Sequence, residues 1–250
     1  ERFRRQRQMC IRDRLGAGQM MFLKIIAAID PDQNPKDLEA FLDALNDKVE
    51  ISQDIVVLPG MVADSLEAAS PFENVHDKLL IDATSIVSTD PRSPDEPLEG
   101  SYNQPTPQWR QRGTASPPFE GLEAVEALEG VRQARLLRPN MLVVSTSIKG
   151  TPSPRTGQHE GDDAKESQRL EQIIQLRNSI WQLDSDKNLR WLFITNDDLD
   201  MTHTKARRRL LWQLTARFDV GRGLTFDEGR DRLCWDATTP IPSEEHGVRR

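Results

Sequence analysis

Short apolar runs of strand length, most of them stopped by acids or by Pro-Gly, alternate along this chain with stretches of helical periodicity. That alternation restricts the fold to α/β layers with a mainly parallel or mixed sheet. Residues 22–29 are apolar except for Lys24 and read as a buried strand. Asn34 and Pro35 follow, as helix N-cap and first helical residue. Leu38, Phe41, Leu42, Leu45 and Val49 then share one helical face. Residues 55–58 form a second buried strand, stopped by Pro59-Gly60, and a loop runs from Met61 to Asp77. Residues 79–81 form a short third strand that ends in Asp82-Ala83-Thr84.

The composition then changes. Residues 85–118 hold seven of the sixteen prolines, Trp109, and no periodic pattern, as in a linker or long surface excursion. Beyond it, Leu122, Val125 and Leu128 mark a short helix closed by Gly130. Residues 141–148 and 189–195 read as strands. Between them, Leu170, Ile173, Ile174, Ile180 and Trp181 mark one face of a longer helix. Residues 205–218 read as a helix with Leu211, Leu214 and Phe218 on one side. A last strand over residues 233–235 ends in Asp236-Ala237-Thr238.

Two stretches therefore share a plan. KIIAAIDPD, starting at Lys24, and RWLFITNDD, starting at Arg190, are each followed by a helix, then a strand, then a strand ending in Asp-Ala-Thr. Recurrence in one order and one structural context indicates two related strand-helix-strand units. The expected organisation is a non-native or disordered tail over residues 1–14, a first unit over 15–84, a linker over 85–118, and a second unit over 119–250, truncated at its C-terminus. The tail carries six arginines in fourteen residues, and residues 9–14 (MCIRDR) read like a translated sequencing adapter.

Charge and cysteine count narrow the function. A net charge of −7 argues against general nucleic-acid binding. No apolar run approaches the roughly 20 residues that span a bilayer. Cys10 and Cys234 make no disulfide framework and no zinc spacing, which fits a reducing cytoplasm. The acidic cluster Asp197, Asp198 and Asp200 follows a strand. Such carboxylates either bind a cation such as Mg²⁺ or cap the next helix, and Asp30 and Asp32 read as caps in the same way. Gly16-Ala17-Gly18 lacks the third glycine and the strand-first context of a dinucleotide site. His76, His159, His203 and His246 have no metal-ligand spacing, and His76 reads as a solvated loop residue. Lys205, Arg207, Arg208, Arg209 and Arg217 read as a solvated basic face opposite Leu211 and Leu214.

The run GQMMFLKIIAAIDPD, then DIVVLPG, then DSLEAASPFENVHDKLLIDAT resembles the C-terminal domain of the UbiD family of decarboxylases. LLWQLTARFD, residues 210–219, is similar to that family's helix hallmark, before its own CWDAT. Asp43-Ala44-Leu45-Asn46-Asp47-Lys48 departs from the usual W-A-L-A-T-R of the first unit. A two-unit C-terminal region resembles the longer branch linked to ubiquinone or menaquinone biosynthesis.

The resemblance implies a cytoplasmic carboxy-lyase acting on an aromatic or α,β-unsaturated acid. It implies prenylated FMN held with Mn and K, bound mainly by a preceding catalytic domain that would be this chain's partner. That domain carries the family's catalytic and metal-ligating residues. No position here matches them, so no catalytic residue and no metal ligand carries over, and this chain alone is expected to bind no cofactor. Asp64, Ser65 and Leu66 match loosely the loop that walls the family's substrate pocket. Family members associate through this region, so a homo-oligomer is expected, with Trp212 as interface candidate. The alternative for Trp212 is packing within its own domain. The alternative for the chain is a standalone, non-catalytic interaction module.

Overall fold

The structure, a computed structural model, describes residues 21–64, 69, 74–84, 117–148, 162–196 and 206–238. It holds two mixed sheets. The first contains β1 (Ile25–Ile29), β2 (Ile55–Val62) and β3 (Val75–Ala83) in the order β1-β3-β2. The second contains β4 (Val131–Arg138), β5 (Met141–Thr146), β6 (Trp191–Asn196), β7 (Leu224–Phe226) and β8 (Leu233–Asp236) in the order β4-β5-β6-β8-β7. The apolar strands anticipated from the sequence are β1, the start of β2, the centre of β3, β5, β6 and β8. The short strand expected before the last one is β7, whereas β4 was not anticipated. Both are edge strands, and an edge needs less apolar surface than a centre.

Helix α1 (Leu38–Lys48) starts later than the sequence suggests. Asn34 instead builds a turn: its side chain accepts from Lys36 N at 3.0 Å and its carbonyl from Asp37 N at 3.0 Å. Asp37 is the cap, accepting from Glu39 N at 3.0 Å and Ala40 N at 3.2 Å. It thereby satisfies two of the amides that a helix start leaves without partners. Leu42, Leu45 and Val49 are buried as their spacing requires, with Leu38 and Phe41 partly buried beside them.

Pro59-Gly60 does not stop β2. The strand runs on to Val62 with a register shift between Leu58 and Met61. Proline is tolerated because β2 is an edge strand and the residues sit at a bulge. Gly60 has φ 64°, and its N–H donates to Asp77 Oδ1 at 2.9 Å. The space around Gly60 is open, so an alanine there meets no atom and pays only for the left-handed backbone. Gly60→Ala is therefore expected to destabilise by about 1 kcal/mol, read as a lower urea midpoint at unchanged slope.

The further helices are α2 (Ile51–Asp54), α3 (Leu122–Glu126), α4 (Asp162–Leu183), α5 (Ala206–Ala216) and α6 (Val220–Gly223), continuing from α1. The set β1, α1, α2, β2, β3 and the set β6, α5, α6, β7, β8 follow one path. In each, the first and last strands are parallel and the middle strand returns antiparallel at the last strand's other side. The registers agree as well. Ile55 faces Ile81 as Leu224 faces Trp235, and Val57 faces Leu79 as Phe226 faces Leu233.

Both sheets contribute to one core. Leu79 and Ile81 of β3 share it with Val143, Phe193 and Trp235 of the second sheet, and with Leu45, Leu214 and Phe218 from the helices. The opposite face of the second sheet, including Val144, Ile194 and Cys234, packs on Ile173, Leu176 and Ile180 of α4. Two expected helix faces each differ at one residue. Leu210 and Leu214 point inward on α5 while Leu211 is exposed, and Ile173 points inward on α4 while Ile174 is exposed. Adjacent apolar residues leave the phase open, and packing selects one of each pair.

Candidate functional site

Parallel strands bring their C-terminal ends to one side of a sheet, where α/β proteins place ligands. Here those ends carry the two Asp-Ala-Thr sequences. Asp82 Oδ1 accepts from Thr84 N at 3.2 Å and from Thr84 Oγ1 at 2.6 Å. Asp236 Oδ1 accepts from Thr238 N at 2.8 Å and from Thr238 Oγ1. The motif is thus an Asx-type turn that closes a strand. In the second sheet it has a further partner. Arg169 of α4 donates to Asp236 Oδ2 at 2.9 Å and to Thr238 Oγ1 at 2.7 Å. Ser145, Thr146 and Thr195 are buried on the neighbouring strand ends. A carboxylate held by a guanidinium and two Thr donors is a fixed structural acceptor, poorly placed to abstract a proton.

Arg169 was missed in the sequence, although a signal was there. It stands four residues before Ile173, in register with Leu176 and Ile180, so an arginine interrupts an apolar stripe. A cation in that position requires a buried acceptor.

Asp30 is not a helix cap. Its Oδ2 accepts from Lys48 Nζ at 2.6 Å, which ties the end of α1 to the end of β1. Arg190, at the start of β6, closes the other end of that connection. Its guanidinium donates to Asn46 O at 3.2 Å and to Val49 O, supplying donors to the carbonyls that end α1. Burial lowers the pKa of Arg190, and the Glu50 and Asp54 carboxylates oppose that shift.

Asp64 lies two residues past the end of β2, while Ser65 and Leu66 lie outside the described residues. So do Cys10, Trp109, His159, His203, His246, Lys205 and the cluster Asp197, Asp198 and Asp200. Both ends of the loop expected over residues 61–77 are strand: β2 runs to Val62 and β3 starts at Val75, and His76 sits in β3, paired with Met61, and is buried rather than solvated. Arg217 is likewise buried rather than part of a solvated basic face, because it falls on the inward side of the helix with Leu210, Gln213 and Leu214. Burial pushes the Cys234 thiol well up, which removes it as a nucleophile. Among the described residues, no group of three or more His, Cys, Asp or Glu side chains is placed to hold a metal ion.

Residues 2–83 match the model of the 3-octaprenyl-4-hydroxybenzoate carboxy-lyase C-terminal domain, UbiD_C. This stretch is a UbiD-family C-terminal domain. The chain is 34% identical over 100 residues to the phenolic acid decarboxylase of Escherichia coli O157:H7, a match covering 38% of this chain and 20% of that protein. The chain thus spans about a fifth of the length of that curated relative. Among solved structures, it is 26% identical to the closed form of the vanillic acid decarboxylase of Sedimentibacter hydroxybenzoicus, with a TM-score of 0.29 over 38% of this chain and 20% of that one. It is 18% identical to an evolved dimeric form of the UbiD-class enzyme HmfF from Pelotomaculum thermopropionicum in complex with prFMN, with a TM-score of 0.28 over 52% of this chain and 25% of that one.

Outside the UbiD-matched stretch, α5 exposes Leu211 and Trp212 side by side, at 42% and 46%. The Arg217 guanidinium lies 6.0 Å from the centre of the Trp212 ring. No helix among the described residues is long and apolar enough to cross a membrane.

Proposed function

We propose that this chain is the C-terminal scaffold of a UbiD-like non-oxidative decarboxylase, cytoplasmic and self-associating, that acts on an aromatic or α,β-unsaturated carboxylic acid. The scaffold consists of two related units, of which residues 15–84 are the first. The catalytic acid-base residues and the prenylated FMN, with Mn and K, belong to the remainder of a longer enzyme. Asp64, Ser65 and Leu66 border its substrate pocket. The observation that carries this reading is the UbiD_C match over residues 2–83. It is supported by the likeness to a phenolic acid decarboxylase, whose name places its substrate among aromatic acids. The shared path and register of the β1-β3-β2 and β6-β8-β7 sets support the two-unit reading.

The test separates scaffold from chemistry. The 250-residue chain, incubated with prenylated FMN, Mn²⁺, K⁺ and a panel of aromatic acids, is expected to release no CO₂ above background. The full-length parent enzyme under the same conditions is expected to decarboxylate at least one member. CO₂ release by the chain alone would falsify the scaffold reading, and an inactive parent across the panel would remove the decarboxylase reading.

A further inference from the structure

Each sheet has two edges, and three of the four carry a feature that blocks further pairing. β2 is bent by the Pro59-Gly60 bulge, β4 carries Arg132, Arg135 and Arg138, and β7 is three residues long. β1 has no such feature. Its sequence IIAAI holds no charge, proline or glycine, and its register against β3 is unbroken from Ile25 to Ile29. Among the described residues, no strand lies on its other side. The backbone groups of a parallel strand alternate between its two neighbours. Leu79 N donates to Lys24 O at 2.9 Å, so Ile26 and Ala28 bond toward β3 while Ile25, Ala27 and Ile29 direct their N–H and C=O groups outward.

The second unit holds the same strand with its far side filled. β6 stands to β8 as β1 stands to β3: Leu233 N donates to Arg190 O at 2.8 Å, and Ile25 and Trp191 open the two registers. On the far side of β6, Trp191 N donates to Asn140 O at 3.0 Å, and β5 runs parallel along the whole strand. The chain passes from β5 to β6 through α4, which shares a core with Leu192 and Ile194. Burial follows from this. Trp191 to Thr195 are all buried, whereas the five residues of β1 are only half-buried. Ile26 and Ala28 hold the places of Leu192 and Ile194, on the face turned away from the shared core. Phe22 and Leu23, which lead into β1, are 40% and 43% exposed.

We propose that β1 is an interior strand in the longer enzyme, paired on its open side with a parallel strand whose crossover helix covers Ile26 and Ala28. The occupant is a strand-helix segment of the polypeptide that leads into β1, in the order β5, α4, β6 of the second unit. β5 ends at Thr146 and β6 opens at Trp191; the same span counted back from Ile25 runs past Glu1, so the strand belongs to the remainder of the longer enzyme. The right-handed crossover between parallel strands fixes the face that its helix covers. In the second unit that face is the one opposite the shared core, which α4 occupies. On β1 it is the face of Ile26 and Ala28, because Ile25, Ala27 and Ile29 already pack against the shared core. The incoming strand is apolar, since it is covered on both faces as β5 is. The proposal rests on the reading of this chain as part of a longer enzyme built from two related units.

Residue-resolved amide exchange on the 250-residue chain and on the full-length parent tests it. In the chain, exchange is expected to alternate along β1, fast at Ile25, Ala27 and Ile29 and slow at Ile26 and Ala28. In the parent the three fast amides are expected to slow by about tenfold or more, since pairing converts open amides to bonded ones. Alternation that persists in the parent overturns the proposal. So does protection of the three amides in the chain alone that rises with its concentration, which assigns the edge to a second copy. The helix is read separately, by maleimide labelling of Ile26→Cys in both proteins. Labelling about tenfold or more slower in the parent is expected, and equal labelling overturns the proposal. Decarboxylation by the parent is measured independently. An active parent that keeps the alternation removes only the pairing of β1, and an inactive parent that loses it removes only the decarboxylase reading.

Discussion

Arg169→Leu is expected to lower the free energy of unfolding by about 3–5 kcal/mol. The side chains of Arg169 and Asp236 are 2% and 6% exposed, so water cannot replace the guanidinium once it is gone. Asp236 Oδ1 is already engaged by both donors of Thr238, and Oδ2 faces Arg169. The loss is therefore set by a buried carboxylate without its cation, which costs more than the pair itself stabilises. Arg169→Leu combined with Asp236→Asn removes both charges and should regain a large part of the loss, since Asn keeps an acceptor for Thr238. Guanidinium titrations followed by circular dichroism, arranged as a double-mutant cycle, measure this coupling. The Arg138–Asp43 pair gives the contrast. Asp43 is 57% exposed, and its removal should cost under about 1 kcal/mol.

The same arginine shows what the sequence discloses and what it hides. Strands β1, β5 and β6 were legible because Ile25–Ile29, Met141–Val144 and Trp191–Ile194 are apolar without interruption, as β5 and β6, buried on both sides, require. Strand β4, VRQARLLR, was hidden because polar residues alternate irregularly along an edge, and the bounds of β7 because three residues carry no period. The passage of β2 through Pro59-Gly60 was hidden because the bulge depends on Asp77, which lies seventeen residues away in the chain. On α5, Leu210 and Leu211 offer two phases of one helix. The choice falls to Leu210 because Gln213 and Arg217 are drawn inward with it, and two polar residues on a buried face do not announce themselves. Among the site residues, the two Asp-Ala-Thr sequences were legible as a repeated motif. Their role as strand-closing turns was not, because it lies in hydrogen bonds made within three residues rather than in composition.

Phe218→Ala is the second substitution with a large expected cost, about 3–5 kcal/mol. Phe218 closes the helix that carries Leu214 and is fully buried. Its ring stacks on Trp235 with centroids 4.1 Å apart and planes 26° apart, and Trp235 Nε1 donates to Leu214 O at 3.0 Å. Gly223 lets the backbone pass against that ring: a side chain there would come within 2.8 Å of Phe218 Cδ2 and 2.6 Å of Asp236 O. Packing this close leaves little freedom to collapse around a deleted ring, so most of the cavity cost persists. Phe218→Leu, which retains much of the volume, should cost about 1.5 kcal/mol or less. Val49 holds the corresponding place at the end of α1, and Val49→Ala should cost about 2 kcal/mol, since fewer buried atoms are lost. Because Phe218, Val49 and strands of both sheets belong to one core, each variant should still unfold in a single transition, shifted as a whole. Thermal melts read by near-ultraviolet and far-ultraviolet circular dichroism test this directly. Two separated transitions, with Phe218→Ala moving only one, would mean that the sheets fold independently of each other.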